Sequence, residues 1–150
     1  MRRLSGEGMR LAGVVQHNPC RAGRTRCDMV LRLIPDGPEF RISQDLGSGA
    51  TGCHLDTGAL EHAVAAVEAD LARGGIDMLI INKYGKHEIQ GRGFGPVIGE
   101  ALAQGVPVLT GVGRRQRAEF AGFVAGLGTA LPPEPEAILA WCRRQRARAA

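Results

Sequence analysis

The stretch Asp77-Met78-Leu79-Ile80-Ile81 constrains the fold more than any other in the chain: one acid, then an unbroken apolar run. A strand with one wet face alternates polar and apolar residues. A run without alternation is the mark of a strand covered on both faces, as in a parallel sheet. Its neighbours fit that setting. Leu60, Val64, Val67 and Leu71 precede it at helical spacing, and Phe94, Val97, Ile98, Ala101 and Leu102 follow as a second amphipathic helix ending near Gly105. Val106 to Val112 reads as another buried strand. Arg114 to Leu127 reads as a third helix with Phe120, Phe123, Val124 and Leu127 inward. Beyond Pro132-Pro133, a last helix from about Pro135 carries Ile138, Leu139, Trp141 and Cys142. Helix–strand–helix–strand–helix in this order calls for a parallel sheet with helices on both faces.

The first half adds strands of another kind. Leu11 to Val15 reads as a strand that ends in the polar turn Gln16-His17-Asn18-Pro19. Residues 20–27 read as an exposed basic loop. Met29 to Ile34 and Glu39 to Ser43 read as an antiparallel hairpin across Pro35-Asp36-Gly37-Pro38. Asp56 or Thr57 caps the helix that follows, and Gly74-Gly75 stops it. The whole is expected to be one α/β domain over residues 1–150. Aromatics are only 4% of the chain, so its core must rest on Val, Ile, Leu and Ala.

Several classes are excluded. No apolar run approaches the roughly 18 residues that span a bilayer. The basic start Met1-Arg2-Arg3 has no apolar segment behind it, so it is not a secretory signal. The expectation is a cytoplasmic protein whose four cysteines, Cys20, Cys27, Cys53 and Cys142, are reduced thiols. The net charge of +4 suits an anionic partner. Part of it comes from Arg143, Arg144, Arg146 and Arg148, which read as a solvated tail favoured at a helix C-terminus. Nucleic acid is not expected, since no aromatic platform or known nucleic-acid-binding motif accompanies the charge.

Ligands of open parallel sheets bind outside the carboxyl ends of the strands. Here the loops 16–19, 82–93 and 111–114 leave such ends. The run Asn82-Lys83-Tyr84-Gly85-Lys86-His87-Glu88-Ile89-Gln90-Gly91-Arg92 is the densest in polar groups and holds both lysines of the chain. Lys86 and Arg92 are expected to neutralise an anion, and the helix from Phe94 to turn its positive end to the same place. His87 and Glu88 are the candidates for proton transfer, with no catalytic residue assigned. Asn82, Gln16 and Asn18 are expected to hydrogen-bond at neighbouring strand ends, with Lys83 and Gly85 beside them. Gly47 to Gly52 spells G-x-G-x-x-G, but the flanking strand and helix of a dinucleotide site are missing. A plain connector is the default there, and an anion loop using Ser48 and Gly49 is the alternative. His17, Cys20, Cys27, Cys53, His54 and His87 lack zinc-site spacing, so no metal site is expected.

Residues 77–88 resemble the strand and loop of small P-loop nucleoside triphosphatases of the THEP type. Those proteins carry an apolar strand, then Asp-Glu, one residue, and Gly-Lys-x-Glu. The resemblance is closer to a bacterial family, domain of unknown function 2478, whose members are often encoded near molybdate-transport genes. Arg41-Ile42-Ser43-Gln44, the run Leu46 to Asp56, and Asn82 to Glu88 with Gly91-Arg92-Gly93-Phe94 look like its signature.

The resemblance implies a three-layer, P-loop-NTPase-like, mostly parallel sheet with an antiparallel hairpin. It also implies that Asn82 and Lys83 replace the two acids that hold Mg²⁺ and face the attacking water, which a neutral amide and a cation cannot do. No G-x-x-x-x-G-K-[ST] occurs in the chain. Met1 to Arg10 resembles the end of a first helix. Either the start lies further upstream, or the first strand and phosphate loop are lost, which would leave a gap in mid-sheet.

The expected function is binding of a small anion or nucleotide (nucleotide with Mg²⁺, or molybdate) without efficient hydrolysis, accessory to molybdenum metabolism. A nucleoside triphosphatase or phosphotransferase is one alternative. The other is a non-catalytic module that docks on a molybdate-transport or molybdenum-cofactor protein. A homo-oligomer is compatible with either.

Overall fold

The computed structural model describes residues 1–23, 26–45 and 54–149. A short helix α1 (Arg2–Gly6) leads into β1 (Leu11–His17), then β2 (Val30–Leu33) and β3 (Glu39–Arg41). Helix α2 (Thr57–Arg73) follows, then β4 (Met78–Tyr84), a single turn α3 (Lys86–Ile89), and α4 (Gly95–Ala103). Last come β5 (Val108–Val112), a 3-10 turn (Arg114–Gln116), α5 (Arg117–Val124) and α6 (Pro135–Ala149). No helix among the described residues is long and apolar enough to cross a membrane.

The five strands form one sheet in the order β3-β2-β1-β4-β5. β1, β4 and β5 run parallel, while β2 runs against both β1 and β3. The sheet is thus mostly parallel with the expected hairpin on one side. The gap considered for mid-sheet is not there. β1 pairs directly with β4, Leu11 opposite Met78 through Val14 opposite Ile81.

Side chains alternate across the sheet into two cores. Ala12, Val14, Leu79 and Ile81 join Leu60, Val64 and Val67 of α2 and Val97 and Ile98 of α4. Leu11, Met78 and Ile80 join Leu4 of α1 and Leu139 and Cys142 of α6. Two covered faces make three layers, and they are why the run 78–81 has no polar alternation.

Local rules set the helix ends. Asp56 caps α2 by accepting the Ala59 N–H at 3.0 Å, and Gly74 stops that helix at φ +72°. The expectation differs at the far edge. Among the described strands β5 pairs with β4 alone, at the edge of the sheet, and it is half-buried except at the exposed Gly111. Helix α5 stops at Val124, whose successor Ala125 is left-handed. Leu127 therefore lies outside it, 76% exposed, not inward. Phe123 is 39% exposed but still packs on Tyr84.

One reading is extended and one is corrected. The terminal arginines lie at the C-terminal end of α6, as expected, with Arg143, Arg144 and Arg146 exposed, and two of them also make contacts with α1. Arg143 holds the Glu7 carboxylate at 2.9 and 2.5 Å, and Arg146 donates to the Glu7 carbonyl at 2.7 Å. These contacts and Arg3–Glu136 at 2.6 Å clasp α1 to α6. Cys20 and Cys27 are joined in a disulfide rather than reduced. The reason is local. The Asp28 N–H reaches back to the Pro19 carbonyl at 3.0 Å and folds the β1–β2 connection so that the two thiols meet. Cys142 is free and buried, and Cys53 lies outside the described residues.

Gly13 marks a close approach of β1 to β4. Its φ is +118°, and a Cβ there would overlap the Ile80 carbonyl. Its own carbonyl accepts the Ile34 N–H at 3.0 Å. Gly13→Ala must therefore push β1 from β4 in the middle of the sheet. Urea unfolding is expected to show a loss of more than about 3 kcal/mol; a loss within the error of the extrapolation would contradict this packing.

At the opposite ends of the same strands, Asp77 takes the Arg10 N–H at 2.8 Å and its guanidinium at 2.8 Å. The Arg10 side chain, more than its backbone N–H or its charge at a distance, holds the Asp77 carboxyl below its ordinary 3.8, against the opposing effect of burial. A depressed folded-state pKa stabilises the fold above the unfolded value and ceases to do so as pH falls through the folded one. Asp77→Asn is therefore expected to lower Tm near neutral pH. The deficit should shrink below about pH 4, the unfolded carboxylate value, as shown by parallel melts of the two proteins across pH.

Candidate functional site

The carboxyl ends of β1, β4 and β5 lie side by side at one edge of the sheet, since Val14 is opposite Ile81 and Tyr84 opposite Val112. β4 is longer than its apolar run suggests: Asn82 and Lys83 belong to the strand and are exposed, and Tyr84 is again buried. A register shift between Ile81 and Tyr84 puts both on the helical face of α2 and α4. There Tyr84 packs edge-on to Phe120 at 5.0 Å and tilted on Phe123 at 5.3 Å. Burial pushes its phenol pKa up, and the charges of Glu88 and Glu119 add to the rise.

Three of the expected residues are joined directly. The Gln16 backbone N–H donates to Asn82 Oδ1 at 3.0 Å, and the Gln16 amide donates to Asn18 Oδ1 at 2.9 Å. The Asn82 side chain thus ties the ends of β1 and β4 together beyond their ladder.

Glu88 has a different place from that of an exposed proton carrier. It is buried in α3, with Oε2 accepting the Gly85 N–H at 2.9 Å and Oε1 the Phe94 N–H at 3.2 Å. One carboxylate therefore caps α3 and holds the start of α4. The glycines make room for it. A Cβ on Gly93, which has φ +56°, would lie 2.6 Å from Glu88 Oε1. The positive end of α4 was expected to face a ligand; its neighbouring N–H faces Glu88 instead, and Pro96 in its first turn has no N–H to offer.

The cations stand outside this buried knot. The Lys83 and Lys86 side chains are exposed and make no ion pair or hydrogen bond with any described residue. Arg92 is exposed and donates to the neutral Gln90 amide at 2.5 Å. His87 is half-buried in α3. Ser48 and Gly49 lie outside the described residues.

Arg114 and Arg115 were not among the expected site residues. They follow β5 after one glycine, exposed and unpaired among the described residues. Two arginines directly after a parallel strand were the signal for them. By contrast Arg3, Arg10, Arg21, Arg73 and Arg143 all have carboxylate partners. A groove of about 380 Å³ between α2 and α4, lined by Glu68, Leu71, Ala72, Pro96, Val97 and Glu100, contains none of the expected site residues.

Residues 1–141 match the family model described as Protein of unknown function (DUF2478). The chain belongs to that family. It is also similar to the molybdenum import ATP-binding protein ModC 2 of Bradyrhizobium diazoefficiens, at 38% identity over 141 residues. The match takes in 91% of this chain but only 15% of that protein's length. No solved structure matches the chain at a significant level.

The Glu88 knot can be tested apart from any ligand. Glu88→Ala leaves two inward-facing N–H groups without an acceptor and is expected to cost about 2–4 kcal/mol. Glu88→Gln keeps one oxygen and should cost about half as much in chemical unfolding. Wild-type stability in both variants would remove the structural role given to this carboxylate.

Proposed function

We propose that this chain is a P-loop-like module that binds a small anion or nucleotide at the strand-end rim without hydrolysing it, in the service of molybdate handling. One observation carries the reading: the side chains of Lys83, Lys86, Arg114 and Arg115 are exposed and unpaired among the described residues, at and just after the adjoining ends of β4 and β5, while many cations elsewhere face carboxylates. Unpaired cations on neighbouring strand ends add their fields and favour an anion there. Phosphate, nucleotide phosphates and molybdate all have the tetrahedral, negatively charged oxygens that such a rim attracts.

The case against turnover rests on the acids. The position that resembles a magnesium-binding carboxylate is Asn82, and its oxygen already accepts from Gln16. Glu88, the nearest substitute in the loop, has both oxygens on backbone N–H groups. The link to molybdate is supported by the similarity to a molybdenum import ATP-binding protein.

A second reading is favoured by the extent of that match. The shared part is 15% of an ATP-binding import protein, yet this chain has no G-x-x-x-x-G-K-[ST]. Such a segment suits a companion module that docks on transport machinery rather than its ATP-hydrolysing part.

A thermal-shift panel of phosphate, sulfate, molybdate, tungstate and nucleotides, with and without Mg²⁺, separates the readings. A true ligand at about 100 times its Kd adds about 2.7 kcal/mol of stability. Lys86→Ala combined with Arg114→Ala should abolish that gain and keep the unliganded Tm. Equal gains in wild type and variant would move the site elsewhere. Magnesium-dependent phosphate release by the wild type would overturn the non-hydrolytic reading.

A further inference from the structure

We infer that Cys20 and Cys27 form a reversible thiol–disulfide site whose state sets how firmly the carboxyl ends of β1 and β4 are held together. The two sulfurs are bonded in the β1–β2 connection, seven residues apart in sequence. Cys20 is exposed and Cys27 half-buried, so a small thiol can reach the bond. The base of the loop is fixed without it: Arg21 meets the Asp28 carboxylate at 3.3 Å, and the Ser43 hydroxyl lies 3.4 Å from the same carboxylate and accepts the Met29 N–H at 3.0 Å. A break in the disulfide therefore releases the Cys20 side chain and leaves the base of the loop and the hairpin in place.

The contacts lead from that segment to the strand ends. The Cys20 sulfur lies 3.7 Å from the Asn18 carbonyl oxygen. The Asn18 side chain accepts from the Gln16 amide at 2.9 Å, and the Gln16 N–H donates to Asn82 Oδ1 at 3.0 Å, one residue before Lys83. With the bond closed, the Cys20 sulfur is fixed against the Asn18 carbonyl and Asn18 is placed to hold Gln16. With the bond open, the Cys20 side chain can turn away, and the hold of Asn18 on Gln16 weakens. The chemistry is ordinary exchange. Two molecules of a small thiol such as glutathione supply two electrons and two protons. The Cys20–Cys27 bond breaks to two thiols, and the two reagent sulfurs form one new disulfide. The oxidised reagent reverses the reaction. Cys142, buried under α6 at the other face, takes no part.

The inference rests on the rim described under the proposed function only for its effect on ligand affinity; its structural part needs no ligand. The test uses the full chain carrying Cys53→Ser, equilibrated in glutathione buffers of graded redox ratio with no anion ligand added. Alkylation after denaturation, read by peptide mass, should label Cys20 and Cys27 only in the reducing buffers. Amide hydrogen exchange at Gln16 should be about tenfold faster in the reduced form, with exchange in β2 unchanged. Cys20→Ser should show the fast rate in every buffer. Labelling of both thiols in every buffer would overturn the site. Disulfide formation with the same Gln16 exchange in both forms would overturn its coupling to the strand ends. A redox-dependent Gln16 rate with no anion binding in either form would uphold the switch and remove the anion reading of the rim.

Discussion

The close approach of β1 and β4 at Gly13 underlies the rest of the molecule. Main-chain atoms of Ile80 lie where a side chain on Gly13 would stand, and the Gly13 carbonyl also serves the hairpin through Ile34. One residue thus joins the parallel and antiparallel parts of the sheet. Because the contact fixes the register from Leu11–Met78 to Val14–Ile81, it also fixes the heights at which β1 and β4 end. Gln16 and Asn82 can meet only because these heights agree. The polar edge depends on a steric condition several residues away, inside the core.

The loop after β4 shows how a polar sequence can be mostly structural. A Gly-rich stretch with Lys, His, Glu and Arg invites a reading as exposed chemistry throughout. In the fold it separates into an inside and an outside. Glu88 turns inward and supplies, from within the chain, the negative charge that helix starts attract. Lys86 and Arg92 stay in solvent. A buried carboxylate with two donors is a rigid anchor, and rigidity at Gly85 and Phe94 limits where the outer cations can go.

Much of the architecture was legible in the residues. The unbroken run at 78–81, the stripe Leu60-Val64-Val67-Leu71, the cap at Asp56 and the stop at Gly74 each obey local rules, and each element formed near its expected place. Where the reading failed, the cause was not local. β5 carries an apolar run as β4 does, yet it has one neighbour among the described strands, and adjacency in the sheet is not written in a five-residue segment. Leu127 continues a helical stripe, but the left-handed turn at Ala125 removes it from the helix. The disulfide depended on a backbone bond from Asp28 to Pro19, and the inward turn of Glu88 on room left by glycines. At the edge, the polar types at 16, 18 and 82 were readable, and so were two arginines directly after a strand at 114 and 115; that these adjoin the end of β4 came into view only once β5 was set beside it.

The clasp between α1 and α6 also has a directional consequence. Arg146 reaches the Glu7 carbonyl, just ahead of the Arg10–Asp77 pair where β1 and β4 begin. The last turns of α6 therefore point toward the amino-terminal side of the parallel strands, and the cations of β4 and β5 crown the other side. A polypeptide continuing from α6 would be delivered to the floor of the sheet, with the rim facing away from the attachment. In such an arrangement the rim stays open to solvent, and tethering alone does not obstruct it.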